Sequence, residues 1–69
     1  MKEKIEIEML IVKVRSKKGI NLIELAEMTG ISKSMINYIE NGKRDPKLSQ
    51  LVKIAKALDV EVEELYRYR

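Results

Sequence analysis

The chain has 69 residues, with 14 Lys and Arg against 11 Asp and Glu, a net charge of +3, and neither cysteine nor histidine. That length fits one domain with a small core, so residues 1–69 are read as a single unit. Without Cys or His, disulfides, thiolate zinc sites, haem ligation and Ser-His or Cys-His catalysis lose their parts. No metal, no cofactor and no enzymatic activity is expected.

The charge is segregated. Lys13, Arg15, Lys17 and Lys18 occupy a stretch with no acid, and Lys43, Arg44 and Lys47 surround only Asp45. Asp59, Glu61, Glu63 and Glu64 cluster without a base. Such a separation orients a small protein on a polyanion; the competing reading is an ordinary solvated surface. The longest apolar run is Met9-Leu10-Ile11-Val12, far short of the ~18 residues that read as a membrane span. No signal-peptide cleavage pattern follows it, so the expected location is cytoplasmic with no membrane partner.

In chain order, Ile7, Leu10, Ile11 and Val14 fall at i, i+3, i+4 and i+7. This predicts a first helix from about residue 6 to Lys18, closed by Gly19. Ile5-Glu6-Ile7-Glu8-Met9 also alternates as a strand does, so residues 1–5 are read as frayed or as an extended arm. Asn21 caps a second helix, with Glu24 completing a capping box. That helix carries Leu22, Leu25, Ala26 and Met28 and stops at Gly30. Ser32 caps a third, with Ile36 and Ile39 inward, ended by Gly42. Lys43-Arg44-Asp45-Pro46 is a loop, because proline disfavours helix at the residue before it. Leu48, Leu51, Ile54, Ala55 and Leu58 form the inward stripe of a fourth helix. After a break at Asp59-Val60, a short fifth helix runs from Glu61 to about Arg67. Five helices around one core make an all-α globule.

The segment from Leu22 to Asn41 is the informative part. Ala26 is small where the second helix meets the third. Gly30 takes a left-handed turn cheaply, Ile31 plugs the turn, and Ser32 restarts the helix. This is the apolar skeleton of a helix-turn-helix. On a wheel of ~100° per residue, Lys33, Ser34, Asn37 and Asn41 lie opposite Met35, Ile36 and Ile39, with Tyr38 on the flank. That outer face has donors, mixed donor-acceptors and an aromatic ring, and no carboxylate. It suits the major groove of double-stranded DNA.

Two runs, Asn21-Leu22-Ile23-Glu24-Leu25-Ala26-Glu27-Met28-Thr29-Gly30-Ile31-Ser32 and Ile36-Asn37-Tyr38-Ile39-Glu40-Asn41-Gly42-Lys43-Arg44-Asp45-Pro46, resemble the lambda-repressor-like DNA-binding family (Cro/CI type, or XRE family). The likeness continues through Leu51-Val52-Lys53-Ile54-Ala55-Lys56-Ala57-Leu58 to Val60 and Leu65. It implies a compact five-helix DNA-binding domain acting as a homodimer on a pseudo-palindromic operator. Carried over residue by residue, base reading falls to Lys33, Ser34, Asn37 and Tyr38. Backbone contact falls to Ser32, Asn41, Lys43, Arg44 and Lys47, with Gly42 keeping the loop close to DNA. The family often has glutamine where this chain has Leu22, which removes one polar contact and brings Leu22 and Ile23 towards the DNA edge. Asn21 is the candidate replacement for that contact.

The resemblance also implies an ion pair between Arg15 and Glu40, and the wheel turns Glu40 off the DNA face, where phosphate would repel it. Val60, Val62, Tyr66 and Tyr68 are the candidate dimer surface, since tyrosine suits interfaces and the C-terminal end dimerises in the resembling family. The expected function is a sequence-specific transcriptional regulator that represses by occupying its operator. The alternative is an antitoxin or protein-interaction module of a toxin–antitoxin pair. No effector-binding domain is evident, so no small-molecule partner is expected.

Overall fold

The computed structural model describes residues 4–69. The chain runs as strand β1 (Ile7–Met9), helices α1 (Ile11–Lys17), α2 (Leu22–Thr29), α3 (Lys33–Glu40) and α4 (Leu48–Leu58), a 3₁₀ turn (Val62–Leu65), and strand β2 (Tyr66–Tyr68). The two strands pair antiparallel, with Ile7 opposite Tyr68, Glu8 opposite Arg67 and Met9 opposite Tyr66.

This corrects the all-α, five-helix expectation at both ends. The first helix begins at Ile11, and the residues before it form a strand, as the alternation of Ile5 to Met9 allowed. The predicted fifth helix shrinks to the 3₁₀ turn, and Tyr66 to Tyr68 extend into β2. The cause is long-range pairing. Leu10 N–H donates to the Leu65 carbonyl at 2.7 Å, and Glu6 and Arg69 exchange backbone bonds at 3.0 and 3.1 Å. Once the chain ends meet, the strand ladder satisfies backbone groups that a short helix would leave bare at its terminus. Of the expected frayed or extended segment at residues 1–5, residues 1–3 lie outside the described residues.

The core consists of Ile11, Leu25, Ile31, Ile36, Ile39, Ile54, Ala55, Leu58 and Leu65, each at most 8% exposed. Every helix and the 3₁₀ turn contribute to it. Met9, Val14, Ile20, Leu22, Ala26, Met35, Leu51, Ala57, Val60 and Val62 pack around it, half-buried. Two predicted inward residues are displaced. Ile7 is 60% exposed because it stands on the strand and not on α1, and Leu48 is 72% exposed. Leu48 is the first residue of α4, one turn ahead of the Leu51–Ile54–Ala55–Leu58 stripe, whose fully buried members all lie in the second half of the helix. Met28 is likewise 53% exposed at the end of α2.

Candidate nucleic-acid interface

The helix-turn-helix is assembled from local signals. The Asn21 side chain accepts from Glu24 N–H at 2.8 Å, and the Glu24 carboxylate accepts from Asn21 N–H at 2.9 Å. This reciprocal cap satisfies two of the donors a helix start leaves unpaired. At the far end of α2, Thr29 Oγ1 donates to the Leu25 carbonyl at 2.8 Å and accepts from Ile31 N–H at 3.2 Å. Gly30 takes φ +74° between them. In that left-handed region a Cβ is disfavoured, so glycine makes the turn tight. Ile31 enters the core and Ser32 opens α3, its hydroxyl accepting from Met35 N–H at 3.1 Å.

Helix α3 buries Ile36 and Ile39. Lys33, Ser34, Asn37 and Tyr38 are all exposed, as are Asn21, Ser32, Asn41, Lys43, Arg44 and Lys47. All ten are accessible, and they come from the α2 start, α3 and the loop after it, the flank that the family resemblance assigns to DNA. Asn41 Nδ2 donates to Asn37 Oδ1 at 3.1 Å, which fixes the Asn37 amide along the helix and leaves its Nδ2 free to donate outward. The Asn21 carbonyl oxygen is engaged in the cap, so the atom it retains for a phosphate is Nδ2, a donor, as that role requires.

The loop is set by the end of α3. Gly42, at φ +71°, donates to the Ile39 carbonyl at 3.1 Å, and Lys43 N–H donates to the Tyr38 carbonyl at 2.9 Å. This paired closure is a Schellman motif. It turns the chain sharply, so Lys43 and Arg44 leave directly from the end of α3. Lys47 then precedes α4, its N–H held by Gln50 Oε1 at 2.9 Å.

Behind this flank, Arg15 Nε donates to Glu40 Oε2 at 2.7 Å, and a second guanidinium nitrogen reaches Oε1 at 3.3 Å. The Glu40 side chain is 3% exposed and that of Arg15 16%. A third bond, from Arg15 to the Ile20 carbonyl at 3.4 Å, ties the pair to the α1–α2 link. The two-pronged contact locks the last turn of α3 against α1 and keeps the carboxylate away from the DNA flank.

Leu22 turns inward to the rim of the core, while Ile23 stays 57% exposed. Only one of the two apolar side chains is thus left at the flank. Val60 and Val62 pack half-buried on the core, whereas Tyr66 and Tyr68 stand on β2, with Tyr68 71% exposed. The sequence reading missed Ile7 and Leu48 as exposed apolar residues; the alternation around Ile7 was the available signal. Among the described residues no group of His, Cys, Asp or Glu is placed to hold a metal, and no helix is long and apolar enough to cross a membrane.

Comparison with known proteins addresses the same region. The helix-turn-helix family model matches residues 11–65. YopS, a prophage-derived uncharacterized HTH-type transcriptional regulator of Bacillus subtilis, is 40% identical over 68 residues, covering 96% of this chain and 92% of YopS. The HTH-type transcriptional regulator SutR of Escherichia coli is 43% identical over 47 residues, covering 68% of this chain but 26% of SutR, so the likeness there spans about a quarter of the relative. Among solved structures, the restriction-modification controller protein C.AhdI from Aeromonas hydrophila superposes with a TM-score of 0.75 at 33% identity, over 78% of this chain and 82% of that one. With the capped helix pair, the tight turn at Gly30 and the exposed outer face of α3, these likenesses lead to one conclusion: the chain belongs to the helix-turn-helix family of DNA-binding transcriptional regulators, of the lambda-repressor-like (Cro/CI, XRE) type.

Proposed function

We propose that the protein is a sequence-specific repressor that acts in the cytoplasm as a homodimer on a pseudo-palindromic operator, with residues 1–69 forming one DNA-binding unit. The observation that carries this is the outer face of α3: four exposed side chains able to hydrogen-bond bases, with the helix's one carboxylate, Glu40, withdrawn into an ion pair. Lys33, Ser34, Asn37 and Tyr38 read base edges. Asn21, Ser32, Asn41, Lys43, Arg44 and Lys47 hold phosphates and set the register. Two copies place their recognition helices one DNA turn apart, ~34 Å.

The test is affinity for an operator selected from a random pool, compared with random duplex at one fixed salt concentration. A palindromic consensus and a large affinity ratio are expected; a ratio near one overturns the reading. Two variants separate the roles. Lys33→Ala relaxes preference at one base position, at a cost of about 1–3 kcal/mol on the preferred site, while Lys43→Ala weakens all duplexes about equally and flattens the salt dependence by about one unit of slope.

A further inference from the structure

The loop that follows α3 is anchored by hydrogen bonds at its two ends and by none between them. At the front, Gly42 and Lys43 donate to the Ile39 and Tyr38 carbonyls, and at the back Lys47 N–H donates to Gln50 Oε1. Among the described residues, Arg44, Asp45 and Pro46 make no hydrogen bond and no ion pair. Pro46 is nevertheless half-buried, the one residue of the stretch 41–48 that is not exposed. Its neighbours are the paired chain ends: Arg44 and Pro46 line a groove of about 320 Å³ together with Ile7, Met9 and Tyr66 of the hairpin. Met9 and Tyr66 stand opposite each other in the strand register, both half-buried. Their place is fixed on either side of the ladder. Leu10 N–H donates to the Leu65 carbonyl at 2.7 Å, and Glu8 pairs with Arg67 at 2.6 Å.

We propose that Tyr66 and Met9 are positioning residues for DNA binding: they support Pro46, and through it they hold Arg44 where its guanidinium meets a phosphate. The inference rests on the reading of Arg44 as a backbone contact and adds to it the element that aims it. An arginine on an unsupported loop gives up backbone and side-chain freedom when it meets a phosphate, and that loss is subtracted from the affinity. A loop already held near its bound shape loses less.

Phosphate contacts supply affinity and carry no sequence information. The hairpin therefore sets how strongly the protein grips any duplex, while the outer face of α3 sets which sequence it prefers. The two ends of the chain thus act in DNA binding although neither belongs to the helix-turn-helix.

The test is affinity for a duplex with a single half-site, where one copy binds and no subunit contact enters, measured over a series of salt concentrations. Arg44→Ala is expected to lower the salt slope by about one. Tyr66→Ala is expected to lower it nearly as much, with binding about 5-fold weaker on every sequence at one fixed salt concentration and base preference unchanged. In the Arg44→Ala background, Tyr66→Ala is expected to have no further effect. Tyr66→Phe keeps the ring and is expected to recover both affinity and slope. Pro46→Gly loosens the same contact from the loop side and is expected to match Tyr66→Ala. Amide resonances of Ile7 to Met9 report whether the hairpin stays folded. Where Tyr66→Ala unfolds it, Pro46→Gly decides the matter, and an undiminished slope there overturns the proposal. So does a Tyr66→Ala that weakens binding equally with and without Arg44. If Arg44→Ala changes neither affinity nor slope, its phosphate role falls and the proposal falls with it. If Arg44→Ala has its effect while Tyr66→Ala, on a folded hairpin, has none, the proposal alone falls and the backbone contact stands.

Discussion

The helix-turn-helix and the terminal hairpin are built by opposite means. Between Asn21 and Lys43 each bend is made by residues a few positions apart: the Asn21–Glu24 cap, the Thr29 bridge, the Ser32 cap and the Gly42 closure. The hairpin is made by residues at the two ends of the chain, and its ion pair joins positions 59 apart in sequence. The first region buries Leu25, Ile36 and Ile39 completely, whereas the second leaves Ile7 and Tyr68 mostly in water. A recognition helix must be held at a fixed angle to read bases, and local capping plus a dense core supplies that. Long-range pairing over few buried contacts makes an element that opens at lower cost than the core.

The contrast is tested most severely at Arg15. Its pair with Glu40 is the single ion pair that joins α1 to α3, and Glu40 is 3% exposed. Arg15→Ala leaves that carboxylate buried without a partner, which costs about 3 kcal/mol, the lower end for such a loss because the arginine itself retains contact with water. Urea denaturation followed by circular dichroism measures it. Replacing both residues, as Arg15→Met with Glu40→Leu, should recover most of the loss, since the penalty belongs to the abandoned charge and not to the missing attraction. An unchanged midpoint for Arg15→Ala would place the rigidity of α3 elsewhere.

The same division explains what could be read from the sequence. Helices α2 and α3 were legible because the residues at their ends act by a local mechanism, and α4 because of its apolar stripe. Asn21, Gly30, Ser32 and Gly42 each act within five residues, and the inward stripe repeats at helical spacing. The exposed face of α3 followed from that stripe alone. The ends of the chain were not legible in the same way. Val62 and Leu65 are spaced by three, which suits a 3₁₀ turn as well as an α-helix, and Tyr66-Arg67-Tyr68 alternates only if a partner strand exists. That partner is β1, and no local signal says so. Ile7 satisfied both a helical and an alternating pattern, and pairing with Tyr68 decided between them. Leu48 was misplaced for a different reason: a wheel gives direction around a helix but not how far the core extends along it.

Smaller effects should respect the same boundary. Ser32→Ala removes the cap of α3 and should cost about 1 kcal/mol, read in the same urea titration. Because the cap also sets the start of the recognition helix, DNA affinity should fall for all sequences. Asp59 marks the exit from the body towards the hairpin. It is the one described non-glycine residue with positive φ, at 57°, and it closes α4 as a glycine would. Asp59→Gly relieves that conformation but adds freedom to the unfolded chain, so a net gain of about 0.5 kcal/mol is expected. A loss would mean that the aspartate side chain holds the junction.

The smallest effect separates the two regions by pH. The hydrogen bond from Arg67 holds the Glu8 carboxyl below the ordinary glutamate value of 4.5, its charges assisting from Arg69 and Lys13 as well. A depressed folded-state value means that the pair's contribution is fully present above the ordinary range and is lost as pH falls through the folded value. Neutral solution therefore leaves the hairpin intact, and acidification below about pH 4.5 should loosen it first. The pair is exposed, so the change is small and sensitive to salt. Amide resonances resolve it residue by residue. Those of Ile7 to Met9 and Tyr66 to Tyr68 should shift together with Glu8 titration, while those of Leu25, Ile36 and Ile39 hold until the body itself unfolds. Glu8→Gln should abolish the early step and leave the later one in place. If hairpin and body move with one midpoint in both proteins, the ends of the chain are not an independent unit, and the hairpin is as firmly part of the folded core as the recognition helix.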